Sequence, residues 1–250
     1  MSFAELHGKL SGSFVSDRSE DLLTSDVFGT LHFLGPQDGV LKWLNKARRV
    51  NCLGKLLGAS RVTKMQLTFW PRFNDNHEPD VAILCDDESG GRTLVVVEAK
   101  YRSGLSGDDQ LRLQCRGMEA MGSGPMITKW FPGEEGTAKC VHLLVTADTT
   151  FPARHYLGTK QTAIDMYWQS WSALSSALEE DGWAETTCEG RLVGHLVRLL
   201  RRKGLAPFGG FVKLDELNLR GDGRFWKLAS YFQTMVPIEL AYSPWWRRAK

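Results

Sequence analysis

The chain has 250 residues, of which 42% are hydrophobic and 24% charged, enough apolar material for one large core or for a core with an added lobe. A formal net charge of +2 excludes a global basic field, so any nucleic-acid surface must be local. Five cysteines without a C-x-x-C spacing argue against a zinc site or a disulfide framework and for free thiols in a reducing compartment.

The first 16 residues mix glycine and serine with isolated apolar residues and show no basic-then-apolar signal pattern. No later stretch approaches the roughly 18 apolar residues of a membrane span, so the expectation is a cytoplasmic protein without membrane contact. Leu23, Val27, Leu31 and Leu34 recur at three- and four-residue spacing and predict an amphipathic helix opening near Asp17. With Asp17 as N-cap, Glu20 falls where a capping box places its acid, on the same face as the leucines. Gly35-Pro36 ends that helix, and Val40 to Val50 predicts a second, short and basic-faced. Its Lys42, Lys46 and Arg49 suit either a phosphate backbone or plain solvation.

Lys64 to Trp70 reads as a strand ending at Pro71, followed by a polar loop carrying Arg72, His77 and Glu78, whose position suits substrate binding, or no role at all, rather than metal ligation. Val81 to Cys85 and Thr93 to Val97 are apolar runs separated by Asp-Asp-Glu-Ser-Gly-Gly, a composition that favours a tight reversal. The three strands form an antiparallel meander. After Lys100, Tyr101 and Arg102 lead through a loop to a helix from Gln110 to Met121, closed by Gly122. Lys139 to Thr146 is a strand that a preceding helix can bring parallel to the Thr93 run, and its His142 reads as a core histidine satisfied by backbone. Ala163 to Trp171 predicts a further strand and Ser172 to Glu180 a helix, although one helix through the whole segment also fits. Beyond residue 183 the character changes. Leu192, Val193, Leu196, Leu199 and Leu200 line one side of a helix that carries Arg198, Arg201, Arg202 and Lys203. Residues 205–250 interleave aromatics with basic residues, a pattern that suits either stacking on nucleic acid or packing on the core.

The chemistry is concentrated at the open end of the hairpin. Glu98 and Lys100 sit two positions apart on a strand, so they point the same way with Cα atoms roughly 7 Å apart. The run Leu94 to Val97 lacks polar alternation and suits a strand covered on both faces, which makes two charged residues at its end costly unless paired or liganded. Asp80 opens the partner strand, and the turn brings it close to Glu98. Two adjacent carboxylates disfavour one another unless a proton or a cation lies between them, and oxygen ligands favour a hard ion such as magnesium or manganese.

Pro79-Asp80, followed after a hairpin by Glu98-Ala99-Lys100, resembles the signature of the PD-(D/E)XK nuclease superfamily. The resemblance covers roughly residues 17–180. It implies an α/β fold with a restriction-endonuclease-like core, a mixed central sheet flanked by helices over residues 1–183; the change of character beyond it marks a C-terminal helical and aromatic-basic extension, or a lobe packed on the core, over 184–250. It implies Asp80, Glu98 and the carbonyl of Ala99 as magnesium ligands, with manganese as a substitute, and Lys100 as the group that orients or helps deprotonate the attacking water. Family members often place an acid on the first helix and a glutamine on the helix after the Glu-x-Lys strand, which points to Glu20 and to Gln110 in preference to Gln114. Lys42, Lys46, Arg72 and Arg102 would touch nucleic acid. The implied activity is hydrolysis of phosphodiester bonds, in DNA sooner than RNA, in a setting such as restriction, repair or phage defence, by a homodimer or with a partner subunit.

Two other readings stay open. One is a non-catalytic nucleic-acid-binding or assembly module that keeps the nuclease fold; the other is an α/β domain with a surface ion pair. No glycine-rich phosphate cradle and no Gly-x-Ser-x-Gly elbow occurs, so neither an ATP motor nor a serine hydrolase is expected.

Overall fold

Asp87 closes the central hairpin. Its Oδ1 accepts from the Ser89 amide, the Ser89 hydroxyl and the Gly91 amide, while Gly90 takes the left-handed conformation (φ 81°) that reverses the chain. On either side run β3 (Val81–Asp87) and β4 (Arg92–Ala99), paired antiparallel with Val81 opposite Val97 and Asp86 opposite Arg92. The apolar stretches of both strands are fully covered, as the unbroken hydrophobic sequence predicts.

The computed structural model describes residues 15–34, 40–52, 55–57, 61–101, 109–153, 156, 162–180 and 182–207, with residues 15–19 as backbone. Six strands form one mixed sheet in the order β1-β6-β5-β4-β3-β2. β2 (Val62–Phe69), β3 and β4 make the expected antiparallel meander. β5 (Lys139–Thr146) and β6 (Asp165–Ser170) follow parallel to β4, and the two-residue β1 (Arg48–Arg49) pairs antiparallel with β6 at the edge. The α/β class with a mixed sheet flanked by helices is therefore what the chain adopts.

Helices cover both faces. On one lie α1 (Val15–His32), α2 (Val40–Asn45), α5 (Trp171–Glu180) and α6 (Cys188–Arg202), packed on Val81, Ile83, Val95, Val97, Val141, Leu143 and Val145. On the other lie α3 (Gln110–Met121) and α4 (Ser123–Trp130), packed on Ala82, Leu84, Leu94, Val96 and Leu144. Each strand divides its side chains between the two layers at the two-residue period. Phe28 sits edge-on to Trp43 and Trp171, with centroids 6.0 and 6.1 Å apart, fixing α1 to both α2 and the start of α5. Such aromatic pairs add roughly 0.5–1.5 kcal/mol each beyond the area they bury.

Several expectations change. α1 starts at Val15, so Asp17 lies inside the helix and Glu20 is too far along it to complete a capping box. The basic helix expected over 40–50 stops at Asn45, because the chain turns there to give β1; Arg49 is on a strand and does not share a helical face with Lys42. Helix α4 follows Gly122, whose φ of 70° breaks the path between two helices, and Pro125 is tolerated in its first turn, where amides lack intrahelical partners. Helix α6, expected to open the extension, packs on the core through Val193, Leu196 and Leu200 and belongs to the unit that runs to Pro207. The aromatic and basic segment from 208 to 250 lies outside the described residues, as does Arg102. All five cysteines are free thiols, and no helix among the described residues is long and apolar enough to cross a membrane.

Candidate functional site

The hairpin register dictates where the charges meet. Because Val81 faces Val97 and the Asp80 amide donates to the Val97 carbonyl at 3.1 Å, Asp80 comes opposite Glu98, with Cβ atoms about 5 Å apart for such cross-strand neighbours. Asp80 Oδ2 accepts from the Ala99 amide at 2.7 Å, which ties the carboxylate to the strand end. Its carbonyl accepts from the amide of Trp70, a bulky residue held at φ 47°. That conformation is costly for tryptophan and turns the chain out of β2 directly beside Asp80.

Glu98 is 2% exposed and points to the α3 face. Its Oε1 lies 2.7 Å from Lys100 Nζ and accepts from Gln110 Nε2 at 2.6 Å; its Oε2 accepts from Gln114 Nε2 at 2.6 Å. Residues 110 and 114 are one helical turn apart, so both amides reach the same carboxylate. Gln114 in turn accepts from His142 Nε2 at 2.7 Å, a direction fixed because the glutamine's amide hydrogens are committed to Glu98. His142 is thus satisfied by a side chain and not by backbone, and its buried Nδ1 has no hydrogen-bond partner among the described residues.

Lys100 follows the last residue of β4. Its amide donates to the Val145 carbonyl and its carbonyl accepts from the Trp171 indole at 3.0 Å, so the backbone is held from both sides. From there its ammonium reaches Glu98 and also Glu20 Oε1 at 3.1 Å, while Glu20 Oε2 accepts from the Tyr101 amide at 2.8 Å. Glu20 therefore comes in from α1 to the lysine at the sheet end. Side chains from α1, β4 and α3 converge with Asp80 on one spot.

Three carboxylates surround one ammonium. Burial pushes the Asp80 carboxyl well above the usual carboxylate range, and the neighbouring Glu98 pushes it further. Burial also raises Glu98, against the pull of Lys100. For Lys100, burial works against the charge, but Glu98, Glu20 and Asp80 outweigh it and hold the ammonium protonated far beyond neutral pH. Burial lowers His142 to about 4, so the imidazole is neutral. Acids raised by burial and by each other are the mark of a site short of positive charge.

The donor chemistry fits a hard divalent ion. Asp80 and Glu98 offer oxygen ligands; both lone pairs of Glu98 Oε1 are engaged, whereas Oε2 carries one donor and Asp80 Oδ2 one. Among the described residues no group of three or more His, Cys, Asp and Glu is placed to hold a metal; Asp80 and Glu98 are the two carboxylates that could hold an ion. Magnesium commonly keeps several waters.

The other expected residues lie apart from this cluster. Arg72 pairs with Glu78 at 2.8 Å within the loop between β2 and β3, and His77 lies against Asp75 in the same loop. Lys46 pairs with Glu180, and Lys42 is exposed on α2. Gln114, which the sequence ranks behind Gln110, is more deeply buried than Gln110 and equally close to Glu98. Its position one turn beyond Gln110 was the available signal.

No protein-family model matches the chain, and no curated protein and no solved structure matches it either.

Proposed function

We propose that the protein is a divalent-cation-dependent nuclease of the PD-(D/E)XK type that hydrolyses phosphodiester bonds, with DNA as substrate. The observation that carries this reading is the ammonium of Lys100 set between Glu98 and Glu20, with Asp80 across the ladder from Glu98. An ordinary surface ion pair balances one acid with one base in solvent; here three acids share one base at a covered sheet end.

Asp80 and Glu98 are the carboxylates that would hold magnesium or manganese, together with the Ala99 carbonyl. When bound, such an ion lowers the pKa of its water and offsets negative charge on the phosphate. Gln110 and Gln114 fix the rotation of the Glu98 carboxylate, so the ligand is preorganised. Lys100, whose ammonium is held by Glu98, Glu20 and Asp80, orients the attacking water or helps deprotonate it and offsets the charge that develops on phosphorus-bound oxygen. Glu20 holds the ammonium in place. Water oxygen bonds to phosphorus and gives up a proton to solvent, the phosphorus–oxygen bond to the leaving strand breaks, and the leaving oxygen takes a proton from solvent.

One observation favours a second reading. Glu98 already receives three donors from the protein, which a retired site used only as a structural brace also requires. That reading gives a nucleic-acid-binding or assembly module without hydrolysis. Incubation with plasmid, linear and single-stranded DNA and with RNA, each with and without manganese, separates the two. The nuclease reading expects cleavage that stops in EDTA and falls at least about 100-fold in Glu98→Gln and Lys100→Ala, the scale of losing a transition-state contact. Cleavage unchanged in both variants, or no cleavage of any substrate, overturns it.

A further inference from the structure

Helix α6 is strongly two-sided. Val193, Leu196 and Leu200 enter the core, whereas Arg191, His195, Arg198 and Arg202 are exposed at spacings of four, three and four residues, forming one stripe along the opposite side. Arg201 is drawn off to Glu179 at 2.9 Å. Arg191, Arg198 and Arg202 have no carboxylate partner among the described residues. In a chain with a formal net charge of only +2, three uncompensated guanidiniums on one line are a local concentration of positive charge. The helix C-terminus favours cations in the last turn, which accounts for Arg202 but not for Arg191 or Arg198.

The stripe runs toward the site. Immediately after Arg202, the Lys203 carbonyl accepts from the Tyr101 hydroxyl at 2.9 Å and the Lys203 ammonium lies over the Tyr101 ring, 5.6 Å from its centroid. Tyr101 follows Lys100, and its amide donates to Glu20. Asp26 lies within electrostatic reach of this end: burial raises its carboxyl toward the neutral form, against the pull of His195 and Lys203.

We propose that the Arg191–Arg198–Arg202 face of α6 is a binding track for the phosphate backbone of duplex DNA, leading to the Glu98–Lys100 site. The eleven residue steps from Arg191 to Arg202 rise about 16 Å along the helix axis, and one strand of a duplex presents a phosphate about every 3.4 Å of its own axis. Guanidiniums suit this ligand through paired N–H donors to phosphate oxygens. A lipid surface fits less well: interfacial helices bury an apolar face in the membrane, and the apolar face of α6 is already spent on the core, while the only exposed large hydrophobic residue among those described is Phe33 on the turn after α1. As a destination for the backbone, this inference rests on the nuclease reading; as a polyanion surface, it does not.

The test is equilibrium binding of the full chain to a fluorescent 30-base-pair duplex in EDTA, across a salt series, for the wild type and for R191Q/R198Q/R202Q. Removing three phosphate contacts lowers the magnitude of the slope of log affinity against log salt by about 3 and weakens binding at least about tenfold at moderate salt. The R191K/R198K/R202K variant retains most of the affinity and controls for folding, together with an unchanged melting temperature for both triple variants. Unchanged duplex affinity and slope in the glutamine variant overturns the track. So does stripe-dependent binding to phosphatidylserine vesicles with no duplex binding. Because cleavage is not read, a wild-type protein that binds duplex through the stripe yet cleaves no substrate with manganese would defeat the nuclease reading and leave the track standing.

Discussion

The two ends of the β3–β4 hairpin each gather acids and bases, and they do so in opposite ways. At the turn end, Arg92 bridges Asp86 and Glu134, and Lys64 also meets Glu134, so two acids face two bases. There Glu134 is held below its usual range, with the Lys64 hydrogen bond as the largest cause, and Arg92 above, led by its bond to Asp86. At the open end, Glu20, Asp80 and Glu98 share Lys100, and Asp80 and Glu98 are displaced upward, toward neutrality. Balanced charge near solvent makes a brace; unbalanced charge under cover leaves buried acids in excess of their base. The distinction lies in burial and in the count of partners, since the residue types are the same.

The largest effect should follow from removing the single base. Lys100→Ala leaves buried carboxylates without their counterion and is expected to cost about 3–5 kcal/mol at neutral pH without divalent ions. Chemical denaturation measures it, and Arg92→Ala at the turn end should lose clearly less. Equal losses at the two ends would erase the contrast.

Next in size is the pH response. An acid whose folded pKa is raised binds a proton more readily folded than unfolded, so its contribution to stability is present at low pH and declines as pH rises from about 4 toward the raised value. Asp80→Asn removes that decline. In EDTA the variant should therefore melt at a higher temperature than the wild type at pH 7, with the difference shrinking toward pH 4. A variant less stable than the wild type at pH 7 would contradict the electrostatic account. His142 acts in the other direction: with its pKa lowered to about 4, the unfolded chain takes up the proton first, and stability is lost as pH falls from about 6.5 toward 4.

His142→Leu should cost about 1–3 kcal/mol, because the Gln114 carbonyl oxygen is left buried without a donor. Smallest of all, Lys46→Ala should change stability by less than about 1 kcal/mol, since its pair with Glu180 is exposed on both sides. Parity between these two variants would mean that the Glu98–Gln114–His142 chain adds nothing beyond a surface contact.

The sequence made the hairpin, the meander, the parallel return of β5 and the meeting of Asp80, Glu98 and Lys100 legible, because each rests on short-range signals: unbroken apolar runs, an Asp-rich glycine turn and a two-residue period. What it left undecided depends on partners far along the chain. Gln110 and Gln114 share a helix side, and only the seating of α3 on the sheet reveals that both reach Glu98. The acceptor that His142 satisfies is 28 residues away on another element. The second helix was read too far because Lys42, Lys46 and Arg49 keep helical spacing through a segment that turns into a two-residue edge strand. α4 hides behind Gly122, Gly124 and Pro125, residues that ordinarily mark a loop. Glu20 was placed on the inner face correctly, but its contact with Lys100 comes from the docking of α1, which no local pattern encodes.

The central claim is that the open end of the hairpin is completed by a divalent ion held by Asp80 and Glu98. Calorimetric titration of manganese into the wild type and into Asp80→Asn at pH 7 tests it most directly. The account predicts saturable binding to the wild type that is lost in the variant, and either no binding to the wild type or equal affinity in both proteins would contradict it.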